Sequence, residues 1–169
     1  MQIYLMRHAI AERPEDWTGE DMERPLTDRG RKRIRLAARG LATLGIRFDL
    51  IATSPYARAT ETAELVGAET AYHAVIEECP ALSPGVHLDH LMRFLTQFSN
   101  RERVLLIGHA PDMGRLALAL IGCSGSDGFQ FKKGGICRVD IGSVPPEHRG
   151  RLIWSMTPQI LRTIASLED

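Results

Sequence analysis

The stretch IYLMRHAIAE, residues 3–12, sends an apolar, strand-forming run from Ile3 to Met6 straight into Arg7 and His8. An arginine and a histidine at a strand end add little to a core, but they are well placed to meet an anion. The same grammar recurs downstream. VLLIG, residues 104–108, leads directly into His109, and LIATS, residues 50–54, leads into PYARA, which delivers Arg58 on the first turn of a helix.

Apolar, β-friendly runs at Gln2–Met6, Asp49–Thr53, Ala74–Glu77, Val104–Gly108, Ile136–Ile141 and Leu152–Met156 predict about six strands. Between them, Asp28–Leu44 reads as a helix whose Ile34, Leu36, Ala37, Leu41 and Leu44 form an apolar face among arginines, with Thr27 as its N-cap. Further helices are expected at Ala57–Val66, His87–Phe98, Asp112–Ile121 and from Pro158 onward. Strands alternating with helices long enough for crossovers argue an α/β fold, with a mostly parallel sheet covered on both faces. The glycine-rich segment Ser124–Gly135 and the close spacing around SVPPEHRG, residues 143–150, point to a final hairpin that breaks the parallel order. No repeat or linker divides the chain, so one domain over residues 1–169 is expected.

With 44% hydrophobic and 25% charged residues, the 169-residue chain has the composition of a globular protein with a full-sized core. Lys plus Arg and Asp plus Glu both number 21, so no global charge recruits nucleic acid or an anionic membrane, and any basic site must be local. Cys79, Cys123 and Cys137 are odd in number and scattered, which argues against zinc or a disulfide framework and for reduced, buried thiols. The apolar run LALALI, residues 116–121, is too short to span a bilayer. A cytoplasmic enzyme or binding domain is the default, with a monomer assumed although the sequence leaves a dimer open.

His8 and His109 each follow a strand, so both are expected at the carboxyl edge of the sheet, where ligands bind in open α/β folds. Arg7 and Arg58 bring forked, permanently charged donors suited to phosphate oxygens. A neutral imidazole among them is able to attack phosphorus. The phosphoryl group would pass to His8, water would cleave the phosphohistidine, and Arg7, Arg58 and His109 would stabilise charge on the equatorial oxygens. Glu12 and Asp112 are candidates to orient an imidazole, although a solvated loop charge and a helix N-terminal carboxylate explain them equally well. Ser54 is expected to cap the helix carrying Arg58, with phosphate contact as its alternative role. His73, His87, His90 and His148 look peripheral, and Lys132 and Lys133 read as a solvated pair with contact to a protein substrate as the alternative. A metal site built from His8, His109, Asp112 and Glu12 is disfavoured because Arg7 and Arg58 would repel a dication, so no metal or cofactor is expected.

The segments LMRHAIAE, RPLTDRG, TSPYARATETAE and LLIGHAP, in that order over the first two thirds of the chain, resemble the successive motifs of the histidine phosphatase superfamily. The small size, Glu12 after RHA and the late WSMTP are most similar to its compact, SixA-like phosphohistidine phosphatases. The resemblance implies a three-layer α/β/α sandwich of the phosphoglycerate mutase-like type and a metal-free mechanism. It also implies His8 as nucleophile, with Arg7, Arg58 and His109 as the phosphate pocket. The implied substrate is a phosphohistidine-containing protein or peptide, in a signal-transduction setting. Two positions depart from the superfamily pattern. Ala9 stands where glycine is usual, and ECPALSPGVHLDH, residues 78–90, holds no acid near Leu82 to Pro84, where many members place their proton donor. SixA-like members similarly lack that donor. An alkoxide leaving group needs a proton in the transition state, whereas a phosphohistidine nitrogen needs less help, so the missing acid favours a P–N substrate. The alternatives are a small-molecule phosphomonoesterase or mutase that recruits Glu78 or Asp89, and a phospho-binding scaffold without turnover.

Overall fold

Six strands, β1 (Gln2–Arg7), β2 (Leu50–Thr53), β3 (Glu77–Glu78), β4 (Arg103–Gly108), β5 (Ile136–Asp140) and β6 (Arg151–Met156), form one sheet in the order β3-β2-β4-β1-β5-β6. The computed structural model describes residues 1–85, 88–123 and 129–167. Strands β3, β2, β4 and β1 run parallel, and β5 and β6 form an antiparallel hairpin added to β1. The mostly parallel sheet and the closing hairpin match the sequence reading.

Among the described residues five α-helices cover the sheet: α1 (Asp28–Thr43), α2 (Ala57–Glu69), α3 (Leu88–Thr96), α4 (Asp112–Leu120) and α5 (Pro158–Ala165). Successive side chains of a strand point to opposite faces. Ile3 and Leu5 accordingly join Leu91, Leu95, Met113 and Leu116 in one core, beneath α3 and α4. Tyr4 and Met6 join Ile34, Leu41, Ala63, Val66 and Leu161 in the other, beneath α1, α2 and α5. Thr27 caps α1 as expected, its hydroxyl accepting from Gly30 N at 2.9 Å. Thr157 caps α5 in the same way, accepting from Ile160 N.

Three details differ from the sequence reading, and two expectations lie outside the described residues. The strand expected at Ala74–Glu77 shrinks to Glu77–Glu78, because β3 is an edge strand that meets β2 only at Ala52 and Thr53 and leaves Val75 in solvent. Helix α2 continues past Val66 to Glu69, whose carboxylate meets Arg35 and Arg39 of α1. Cys79 and Cys137 are buried, but Cys123 is exposed just past α4. His87, the first residue of an expected helix, and part of the glycine-rich segment, residues 124–128, lie outside the described residues. Among the described residues no helix is long and apolar enough to cross a membrane.

Candidate active site

The parallel strands β2, β4 and β1 are neighbours, so their carboxyl ends open on one edge of the sheet. His8 follows β1 directly, His109 follows β4 directly, and Arg58 sits in the first turn of α2 after β2. All three are buried, at 7%, 4% and 5% exposure respectively. The two imidazole rings are 5.2 Å apart between centroids. Tyr56 lies between His109 and Arg58, its ring 5.0 Å from the histidine ring and 4.7 Å from the guanidinium carbon.

Hydrogen bonding fixes the state of His8. Its Nδ1 is 2.7 Å from the carbonyl oxygen of Ala9, and a carbonyl can only accept. Nδ1 therefore carries the proton, and Nε2 keeps its lone pair. Burial, then the charge of His109, then Arg58 and Arg7, push His8 down to about 3, outweighing the Ala9 bond that works to raise it. His109 is pushed down to about 4, mainly by burial and by the Arg58 charge, with Asp21 opposing. Both rings are neutral at ordinary pH. Ala9 is in turn pinned by its N–H to Thr62 Oγ1 at 3.0 Å, and that hydroxyl donates to the Arg58 carbonyl at 2.6 Å. Thr62 thus ties the end of β1 to the first turn of α2. Ala9 itself is buried in the core beneath α1 and α2.

Arg7 donates from Nη1 to the Phe131 carbonyl at 2.9 Å, and its Nε is buried with no partner among the described residues. Arg58 is engaged by a residue the sequence reading missed. Asp21, in a short helical turn between β1 and α1, accepts from Arg58 through its carbonyl at 2.7 Å and through Oδ2 at 3.0 Å. Burial works to raise the Asp21 carboxyl, but Arg24 and Arg58 outweigh it and hold it below its ordinary value. It is an anion that occupies the arginine, and a poor proton donor. No local pattern in the sequence marks Asp21, because the contact to Arg58 spans 37 residues.

Ser54 corrects an expectation. The N-cap of α2 is Tyr56, without a capping side chain, and Ser54 Oγ instead lies 2.8 Å from His109 Nε2. Among the described residues the ring hydrogen bonds of His8 and His109 go to Ala9 and Ser54, and neither Glu12 nor Asp112 is bonded to either ring. Asp112 is buried and accepts from Gly85 N at 2.8 Å, which fastens the loop after β3 to the start of α4. His73, His90 and His148 are exposed. Among the described residues no group of His, Cys, Asp and Glu could hold a metal ion.

The fold and this cluster define an α/β class that gathers imidazoles and a guanidinium at one edge of a mostly parallel sheet, and comparison with known proteins gives it a family. The family model for the histidine phosphatase superfamily (branch 1) matches residues 3–83. An uncharacterized protein of Picosynechococcus sp. is 36% identical over 146 residues, 85% of this chain and 87% of that protein. Phosphohistidine phosphatase SixA of Escherichia coli is 29% identical over 160 residues, 94% of each chain. The structure of the protein histidine phosphatase SixA complexed with tungstate superposes with a TM-score of 0.83 at 28% identity, covering 95% of this chain and 99% of that one. The alpha-ribazole phosphatase of Shigella flexneri shares the fold, with a TM-score of 0.75 at 19% identity over 94% of this chain and 97% of its own. The chain belongs to the histidine phosphatase superfamily, and within it is SixA-like.

Proposed function

We propose that this protein is a phosphohistidine phosphatase that acts on a protein or peptide without a metal. The reading rests above all on the His8 ring, neutral and held by Ala9 so that its Nε2 lone pair is free. That nitrogen attacks phosphorus, the substrate P–N bond breaks, and its electron pair returns to the leaving imidazole. When the other nitrogen of the substrate ring carries a proton, the imidazole departs neutral and needs no acid from the enzyme. Water then attacks the phosphoryl group on His8, releasing phosphate and restoring the imidazole. Arg7, Arg58 and His109 surround the transferring group and stabilise its charge.

The state of the acids around the cluster supports the P–N substrate. Asp21 is ionised against Arg24 and Arg58, and Asp112 is committed to Gly85. Glu78 and Asp89, the acids a phosphomonoesterase would have to recruit, are exposed on β3 and α3. The test is a paired assay in chelator: hydrolysis of a phosphohistidine peptide and of p-nitrophenyl phosphate by the wild type and by His8→Ala. The expected result is strong phosphohistidine hydrolysis that the substitution abolishes. Activity on the aryl ester alone overturns the substrate class, and activity retained by His8→Ala overturns the nucleophile.

A further inference from the structure

Beside the candidate site runs a solvent-open groove of about 420 Å³, between the first turns of α1 and α5 and the turn Lys132–Gly135. It begins at Ala9, the residue after His8, and carries Arg33, Arg162, Lys132 and Lys133 on its walls. None of these cations meets a carboxylate among the described residues, although the chain contains as many acids as bases. Arg33 and Arg162 face each other as like charges instead. Burial and the charge of Arg33 both disfavour the charged form of Arg162, and burial followed by Arg7, Arg24, Arg13 and Arg58 does the same to Lys133. Lys133 therefore belongs to the field of the groove and to that of the candidate site.

The groove is built rigidly against the nucleophile's strand. Gly134 N–H donates to the carbonyls of both Arg7 and His8, at 3.0 and 3.1 Å, and Gly135 N–H closes the turn on Lys132 O at 2.7 Å. Gly134 has a φ of +80°, and a side chain there would meet Ile34 and Pro158, which form the apolar floor. The chemistry of the walls selects an occupant. The volume exceeds what one small oxyanion fills, and among the described residues no aromatic side chain lines the groove to stack a nucleobase. Aspartate and glutamate side chains on an extended segment fit both parts: carboxylates reach the cations, and methylene stems lie on Ile34 and Pro158.

We infer that this groove docks a carboxylate-rich segment of the protein substrate, adjacent in sequence to its phosphohistidine, through Arg33, Arg162, Lys132 and Lys133. The inference rests on the phosphohistidine reading for the word substrate, but the docking step itself needs no turnover. It is tested first by fluorescence anisotropy with an unphosphorylated peptide bearing glutamates around its histidine, against the same peptide bearing glutamines. The wild type is expected to bind the glutamate peptide more tightly. The double variant Arg33→Gln/Arg162→Gln is expected to bind it about tenfold more weakly, as the loss of two exposed charge pairs allows. Its Tm should not fall, because the substitutions relieve repulsion. Equal binding of the two peptides, or an unchanged double variant, overturns the docking groove. With phosphohistidine versions of the two peptides, the double variant is expected to raise KM for the acidic peptide alone and to leave kcat intact. Preferential binding of the acidic peptide without any phosphohistidine hydrolysis supports the groove and overturns the phosphohistidine reading, so the two failures are distinguishable.

Discussion

Asp21 holds Arg58 at two points, its carbonyl 2.7 Å from Nη1 and its Oδ2 3.0 Å from Nη2, and so sets a negative charge on the arginine that would bind phosphate. An incoming phosphoryl dianion must share or displace that carboxylate. The side chain is largely exposed and its backbone carbonyl makes the other contact, so neutralising it leaves the segment attached. Asp21→Asn is expected to lower the inhibition constant of inorganic phosphate about fivefold, corresponding to about 1 kcal/mol of removed repulsion. A weaker phosphate affinity in this variant would show that the carboxylate orders Arg58 more than it competes for it.

The two buried histidines predict a distinctive acid response. His8 and His109 are lowered to about 3 and about 4 in the folded protein, below the ordinary value of about 6.5 that they regain on unfolding. As pH falls below about 6.5 the unfolded chain takes up protons first, so the stability conferred by the neutral rings is complete above that value and is lost toward pH 4 and 3. The imidazole NMR signals of both residues should remain those of neutral rings at about pH 5, and kcat/KM should keep its acid limb below that point. A midpoint near 6.5 for either ring would contradict the burial that produces the shift.

Ser54 makes its contribution through His109. Its hydroxyl is fully buried, 2.8 Å from Nε2, so Ser54→Ala removes the only described ring hydrogen bond of that histidine. A loss of about 1 kcal/mol in stability is expected, with a fall of about tenfold in kcat and little change in KM, because ring orientation matters most as charge develops on the phosphoryl oxygens. A change confined to Tm would assign Ser54 a purely structural part.

The strand-end pattern was legible because it is local: IYLMRH and VLLIGH state both the strand and the residue it delivers. Residues whose importance arises from distant contacts were not. Asp21 meets Arg58 across 37 residues, Ser54 meets His109 across 55, and Thr62 joins Ala9 across 53. Thr62 and Ser54 do fall inside the quoted TSPYARATETAE, where burial at 0% rather than residue type distinguishes them from the half-buried Thr60. The β3 boundary failed for a different reason. An apolar run such as Ala74–Ile76 predicts a strand only when neighbours on the sheet are there to bury it, and at this edge Val75 is 75% exposed.

The glycine-rich periphery of α1 predicts where the scaffold tolerates least. Gly40, fully within α1, lies against the Leu161 backbone of α5, and a Cβ there would collide with the Leu161 carbonyl oxygen. That obstacle is main chain, which cannot rotate aside, so α5 must move off α1 as a unit. The displaced helix carries Leu161, buried in the core beneath α1, together with Pro158 and Arg162 of the groove. Gly40→Ala gains helix propensity of about 1 kcal/mol, but overpacking of about 1–3 kcal/mol opposes it. The net expectation is a lower Tm, by about 2–4 °C for each kcal/mol in a chain of this size. Gly45, just past α1 at a φ of +70° with open space around its Cα, isolates the backbone-conformation effect from the packing effect. Gly45→Ala should cost stability without disturbing α5, so acidic-peptide binding in the groove should weaken in the Gly40 variant and persist in the Gly45 variant.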